Sequence, residues 1–114
     1  MLKIIAFVLA ISSSNMSFPN EKIDLNNSQW EFRTQDYWVN FSVDESGKAW
    51  LEEIFPNDEY EINYFADMLK INSLGAIVGL IEGRPSFRLF VRDNDCLLLS
   101  SKTSDDECLK RVKK

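Results

Sequence analysis

Carboxylates are the side chains of this sequence that could most readily do chemistry. Glu52-Glu53 and Asp58–Glu61 place five acids within ten residues, and paired carboxylates can hydrolyse glycosides or bind calcium. Their spacing does not match an EF-hand loop, and a glycosidase needs a cleft around its two acids. Charge runs on small domains usually lie in water. We therefore expect an acidic, solvated surface here, with no catalytic residues and no metal ligands.

The composition also restricts the possible reactions. The sequence contains no histidine, so imidazole acid–base chemistry and histidine-dependent triads are excluded. It contains neither the glycine patterns of nucleotide-binding loops nor a G-x-S-x-G nucleophile motif. The formal net charge of −5 makes nucleic acid a poor partner. These observations predict a binding protein that is not an enzyme and needs no cofactor.

Cys96 and Cys108 are the two cysteines of the chain, with eleven residues between them. An even pair in a small exported domain is more often a disulfide than two free thiols. An unstrained bridge at this separation would contribute about 3 kcal/mol. Two cysteines without histidine leave the usual zinc ligand set incomplete. We predict a Cys96–Cys108 disulfide, and two buried thiols in a reducing compartment are the alternative.

The N-terminus has the layout of a secretory signal peptide. Lys3 precedes an apolar run from Ile4 to Ile11, and small residues such as Ser12 and Ser14 follow it. The run is shorter than the ~18–20 residues that span a bilayer. The sequence therefore predicts an exported protein, periplasmic or extracellular, without a transmembrane helix. The predicted organisation is a signal peptide over 1–14, an irregular lead-in over 15–27 and a single domain over 28–114.

Apolar residues alternate with polar ones along most of the chain after residue 27, which predicts β-strands. Val39, Phe41 and Val43 form one such face, and Gly47 lies in the polar turn that leads to the next strand. A second hairpin is predicted directly behind the first, with its bend at Ala66-Asp67. Strands recur about every ten residues with turn residues between them, as expected for an all-β barrel or sandwich.

One segment also suits a helix. Asp58 followed by Glu61 resembles a capping box, and several apolar residues after it have helical spacing. A helix near 58–72 would make the fold α+β. Aromatic and β-branched residues are frequent in this segment, however, and strands are predicted on both sides of it. We favour an all-β antiparallel meander and retain the helix as the alternative.

Four short motifs are distributed over nearly all of the chain after the signal peptide. They are a tryptophan on the first strand (Trp30), F-S-V-D-E-S-G-K-A from Phe41 to Ala49, Y-x-I followed by L-x-I (Tyr60, Ile62, Leu69, Ile71), and L-K-R-V from Leu109 to Val112. Together they resemble the small bacterial lipocalin-like domains. The resemblance implies an up-and-down barrel of about eight strands, often with a ligand in its mouth.

The resemblance favours one of two function classes, in which the barrel binds a small apolar or amphipathic molecule. Arginine side chains near the mouth would offer bidentate partners to a ligand carboxylate, since a guanidinium is a planar fork of donors. The candidate ligand-binding residues are Phe41, Tyr60, Phe87, Arg88 and Arg92.

In the second class, side chains fill the barrel and its outer surface binds a protein. The filling side chains would be Trp30, Phe41, Tyr60 and Phe87. Exposed aromatic residues with a charged rim are typical anchors of protein interfaces. A periplasmic inhibitor or a toxin-neutralising immunity protein would have this build. The candidate partner-binding residues are Trp38, Trp50, Asp58, Glu59, Glu61 and Phe90.

Overall fold

A computed structural model describes residues 23–100 and 102–113, so the predicted signal peptide lies outside the described residues. Within these ranges the chain forms nine antiparallel strands and two short 3-10 turns, Pro56–Asp58 and Asp105–Glu107. The strands are β1 (Ser28–Arg33), β2 (Trp38–Val43), β3 (Ala49–Phe55), β4 (Tyr60–Ala66), β5 (Met68–Ile71), β6 (Ala76–Ile81), β7 (Arg84–Asp93), β8 (Cys96–Leu98) and β9 (Leu109–Arg111). The predicted all-β class is confirmed.

The strands form one sheet in the order β4-β3-β2-β1-β9-β8-β7-β6-β5. β4 and β5 lie at opposite ends of this order, although only Asp67 separates them in the chain. One almost continuous strand therefore pairs with β3 through its first half and with β6 through its second half. This connection nearly closes the sheet into a barrel. The predicted antiparallel meander is confirmed, and its eight segments agree with the expected strand number when β4 and β5 are read as one bent strand.

The predicted second hairpin is wrong, because the chain does not reverse at Ala66-Asp67. The Asp67 N–H donates to the Leu80 carbonyl at 2.8 Å, and the Asp67 carboxylate accepts the Glu82 N–H at 3.1 Å. Both bonds tie the bend to β6 and to the turn behind it. No glycine or proline stands next to Asp67 to form a tight reversal. At this bend the strand therefore stops pairing with β3 and begins pairing with β6.

The helix alternative over 58–72 is also wrong. β4 and β5 occupy most of this segment, and the residues that resembled a capping box lie at the end of the Pro56–Asp58 turn and the start of β4. Glu59 follows that turn with φ of 50°, and its N–H donates to the Pro56 carbonyl at 3.3 Å. Long-range pairing with β3 and β6 stabilises the strands, which outweighs the weak local helical signal.

The turn between β2 and β3 illustrates how the polar sequence determines a hairpin. The Asp44 carboxylate accepts the backbone N–H groups of Ser46 and Lys48, each at 2.9 Å, and Gly47 adopts φ of +92°. Glycine suits this position because it has no Cβ to strain. The hydrogen bond from the Ser46 hydroxyl, together with the backbone bonds, lowers the pKa of Asp44 below its ordinary value. The predicted first hairpin is confirmed.

The interior of the barrel is filled by large side chains. One row crosses four strands as successive register partners: Trp30, Phe41, Leu51 and Tyr64. The opposite wall supplies Ile77, Phe87, Leu89, Leu97 and Leu109, all buried. The Phe87 ring meets Phe41 edge-on, with 5.9 Å between the ring centroids, and meets Tyr64 at 6.5 Å. Phe87 therefore joins the two walls at the centre of the core.

Gly79 on β6 faces the Phe87 ring at very short range. A Cβ at this position would lie within 2.9 Å of three carbons of that ring. The ring cannot easily move away, because Phe41 and Tyr64 pack against it. We expect Gly79→Ala to lower the free energy of unfolding by about 1–3 kcal/mol through overpacking.

Denaturant unfolding of four proteins tests this steric cause: the wild type, Gly79→Ala, Phe87→Leu and the double variant. The leucine side chain leaves room for the new methyl group. The decrease in the free energy of unfolding of the double variant should therefore be smaller than the sum of the decreases in the two single variants. Additive costs would contradict a clash with Phe87.

The two ends of the described barrel lie side by side. β9 pairs with β1 through Lys110↔Glu31 and Arg111↔Trp30, and the Val112 N–H donates to the Gln29 carbonyl at 2.8 Å. The Arg111 guanidinium lies over the Trp30 ring, 4.3 Å from its centroid. This pairing joins strands that are far apart in the chain and closes the meander.

Cys96 and Cys108 form a disulfide, with their Cα atoms 5.1 Å apart, so the predicted bridge is confirmed. Together with Leu98 they form a small buried cluster, and Phe90 packs against it. No helix within the described ranges is long and apolar enough to cross a membrane. The disulfide is compatible with an exported protein.

Candidate functional site

The candidate ligand-binding residues separate into three places. Phe41 and Phe87 are buried and contact each other inside the barrel, so their rings occupy space that a ligand in the lumen would need. Arg92, near the end of β7, is exposed and lies outside this interior pair. Tyr60 is 56% exposed, so the expectation that it fills the barrel is wrong. Its position at the very start of β4 places it at the rim, beyond the packed rows.

A shallow cleft does bring Phe87 and Arg88 together. Its volume is about 210 Å³, and it is lined by Leu51, Glu53, Tyr64, Ser86, Phe87, Arg88 and Leu99. Pockets for small molecules commonly have volumes of about 300–1,000 Å³. Two of the five candidate ligand residues therefore share an opening, but that opening is smaller than a typical ligand site.

An aromatic row runs along the same end of the barrel. The ring of Tyr37 packs against Phe55 at 5.0 Å between centroids, and Phe55 packs against Tyr60 at 5.8 Å. The Tyr37 hydroxyl donates to the Glu53 carboxylate at 3.0 Å. Burial and the nearby Glu53 charge both oppose ionisation, so they raise the pKa of Tyr37 well above its ordinary value of 10. Tyr60 is the exposed end of this row.

Acidic residues surround the exposed end of the row. Glu59 and Glu61 flank Tyr60 in the chain and line a second cleft of about 210 Å³ together with Ile54, Phe55, Pro56 and Tyr60. Asp58 belongs to the adjoining 3-10 turn and is exposed. The hairpin from Ala49 to Ala66 carries five acidic residues and neither lysine nor arginine. The result is an apolar patch with a strongly negative border.

The strand register places Trp38 beside these residues. Trp38 pairs with Ile54, and Ile54 pairs with Glu61, so the three form one row across the outer face of β2, β3 and β4 with Ile54 in the middle. The Arg33 guanidinium lies 4.7 Å from the centre of the Trp38 ring, and the indole N–H donates to the Thr34 carbonyl at 3.1 Å. These contacts hold the indole in a fixed orientation.

We call this region the rim surface, and it combines apolar and acidic side chains. Its members are Trp38, Ile54, Asp58, Glu59, Tyr60 and Glu61. It includes four of the six candidate partner-binding residues. The other two lie elsewhere: Trp50 packs against Phe65 at 5.5 Å, and Phe90 packs on the disulfide cluster.

The sequence prediction missed two parts of the rim surface. Ile54 could have been predicted to face outward from the alternation of side chains, because it lies on the same face of β3 as Trp50. Tyr60 was assigned to the interior, and only its position past the end of the core reveals its exposure.

A metal site receives no support from the described part of the chain. In residues 23–100 and 102–113, no group of three or more histidine, cysteine, aspartate or glutamate side chains is placed to hold a metal ion. Searches of protein-family models, of curated proteins and of solved structures found no match to this chain. The function must therefore be inferred from the geometry of the barrel and its surface.

Proposed function

We propose that this chain is an exported, non-catalytic binding protein that recognises a basic surface of another protein through the rim surface. An inhibitor or a toxin-neutralising immunity protein would act in this way. The observation that carries the proposal is the 56% exposure of Tyr60, an aromatic side chain bordered by Glu59 and Glu61 at the end of a filled barrel. The lipocalin-like character of the barrel is part of the same proposal and rests on the sequence motifs.

The filled interior favours a protein partner over a ligand in the lumen. An eight-stranded barrel is just wide enough either to be packed by side chains or to hold one small ligand. Here Trp30, Phe41 and Phe87 belong to one buried cluster, and the rings of Phe41 and Phe87 are in contact. Binding in the lumen would require these rings to move apart. A partner at the rim requires no rearrangement of the core.

The composition of the rim suits the energetics of protein recognition. Tyrosine and tryptophan are frequent hot spots, because a rigid ring buries a large area at low cost in conformational entropy. Acidic residues around such anchors accelerate association with a basic partner and make the association rate sensitive to salt. Tyr60 and Trp38 would supply the anchors, and Asp58, Glu59 and Glu61 would supply the charge.

Affinity capture from the native host, followed by native mass spectrometry, tests the proposal. Glu59→Lys should reduce recovery of a stoichiometric basic partner at least about tenfold, because it reverses the charge beside the anchor. Glu82→Lys is a matched control: both residues are exposed acids with positive φ, 50° for Glu59 and 51° for Glu82. The control should recover the partner as the wild type does.

A second pair of variants tests the aromatic anchor. Tyr60→Ala should abolish capture, whereas Trp50→Ala should not, because Trp50 is exposed on another part of the outer face. Equal effects of the two alanine variants would contradict recognition at the rim. A stoichiometric small molecule in the native mass spectrum, with no protein partner, would instead support binding in the barrel.

A further inference from the structure

We propose that the free edge of β4 receives an extended, basic segment of the partner as an added antiparallel or parallel strand. This inference rests on the proposed function and specifies how the partner binds. β4 stands at one end of the sheet order, and it pairs with β3 along one edge. No strand of the described chain pairs with its other edge between Tyr60 and Ala66. An exposed strand edge is a template for a further strand.

The hydrogen-bond pattern identifies the backbone groups that this edge offers. Antiparallel pairs alternate between bonded and non-bonded, and the Asp44 N–H donates to the Lys48 carbonyl at 2.9 Å next to the β2–β3 turn. Counting from this bond, the residues of β3 that bond to β4 are Ala49, Leu51, Glu53 and Phe55. Their register partners on β4 are Ala66, Tyr64, Ile62 and Tyr60.

The intervening residues of β4 therefore direct their N–H and C=O groups away from β3. They are Glu61, Asn63 and Phe65. Asp67 continues the same series, and its N–H does bond to the next strand, at the Leu80 carbonyl. The agreement at Asp67 supports the assignment of the three residues before it.

Within the described chain this edge has no strand partner, because the neighbouring strand ends too early. β6 pairs with β5 from Ile77 to Leu80, and the chain then turns back through Glu82 and Gly83. Both turn residues have positive φ, 51° and 79°, which permits a two-residue reversal. The β6–β7 hairpin therefore reverses level with Asp67, and both of its strands lie near β4 without pairing with it. The side chains of Glu61 and Asn63 are exposed.

The charges beside this edge indicate what the added segment would carry. Glu61 lies on the outer face of the edge, and Glu59 and Asp58 precede it, so basic side chains would be favoured opposite them. On the inner face the edge presents Ile62 and Tyr64, both partly buried. Because side chains alternate between the faces of a strand, the fitting segment alternates basic with apolar residues.

Asn63 offers a substitution that acts on the edge and spares the fold. Asn63→Pro removes an N–H that β3 does not use, and proline is tolerated on strand edges that face solvent. Asn63→Ala is the matched control, because it removes the side chain and keeps the N–H. Proline should weaken partner binding at least about tenfold, and alanine should change it less than about twofold.

Amide hydrogen exchange of the intact domain, measured by NMR, gives an independent readout. The probe is a synthetic peptide of about nine residues that alternates lysine and valine. It should slow exchange at Glu61, Asn63 and Phe65 at least about tenfold and leave the already bonded Ile62 and Tyr64 unchanged. A control peptide in which every second amide is N-methylated should not protect these amides. This measurement uses the wild-type domain, so it does not depend on the folding of a variant.

Each other outcome has a defined meaning. Unchanged binding by Asn63→Pro, or no protection at millimolar probe, would overturn the added strand. If Glu59→Lys still abolished capture in that case, the proposed function would stand and only the binding mode would fall. If protection of the three amides instead rose with protein concentration without peptide, a second copy of this chain would be the occupant, and the proposal would be overturned.

Discussion

Trp30→Ala is expected to lower the free energy of unfolding by about 3–5 kcal/mol, a large fraction of the stability of a small domain. Trp30 is 1% exposed and belongs to the row of side chains that crosses β1 to β4. Its indole N–H donates to the Ser28 hydroxyl at 3.0 Å, and its ring supports the Arg111 guanidinium of β9. Truncation would therefore open a cavity and weaken the pairing of β1 with β9.

Urea unfolding followed by circular dichroism measures this loss. Trp50→Ala is the control, because that side chain is 40% exposed and lies on the outer face. It should cost less than about 1.5 kcal/mol, since its ring loses less contact area than a fully buried one. Similar costs for the two tryptophans would contradict the inner and outer assignment of their faces.

Loss of the Cys96–Cys108 bridge is expected to cost about 2–4 kcal/mol. The bridge joins Cys96 of the short strand β8 to Cys108, the residue that precedes β9. β9 has only three residues. Without the cross-link, the unfolded chain gains conformational freedom and β9 is held by few backbone bonds. The expected result is a lower melting temperature after reduction and early loss of protection at Leu109 and Lys110.

Two forms of the protein separate the cross-link from its packing. Reduced wild type keeps both sulfur atoms in the cluster with Leu98 and Phe90, whereas the Cys96→Ala/Cys108→Ala variant also removes their volume. The double variant should therefore be less stable than the reduced wild type. A melting temperature that does not change on reduction, with both thiols shown free by mass spectrometry, would contradict a stabilising bridge.

The sequence was sufficient for the parts of the fold that local alternation specifies. Val39, Phe41 and Val43 were predicted to share a face, and all three are buried. Phe87 was likewise predicted to fill the interior, and it is buried. A period of two determines the face of each residue, and the turn residues separate one strand from the next, so both signals are local.

The errors arose where geometry depends on distant parts of the chain. At Asp67 the alternation continues through a bend whose direction is set by bonds to Leu80 and Glu82 on another hairpin. The alternation of side chains along the strand assigned Tyr60 to the inner face correctly. It could not show that this residue lies beyond the packed rows. Trp38 and Glu61 lie on either side of Ile54 through the register of three strands, which no local pattern specifies.

The closing contact between β1 and β9 brings the beginning and the end of the described domain together, with the Val112 N–H bonded to the Gln29 carbonyl. A short linker could therefore join the two ends, and new termini could be opened at the turn between β5 and β6, where Leu74 is 88% exposed. Circular permutation tolerates such exposed turns. In the permuted chain, the pairing of β1 with β9 would become a local hairpin. In the present chain, β1 and β9 must find each other by a slow long-range search during folding. In the permuted chain, β5 and β6 would require that search instead.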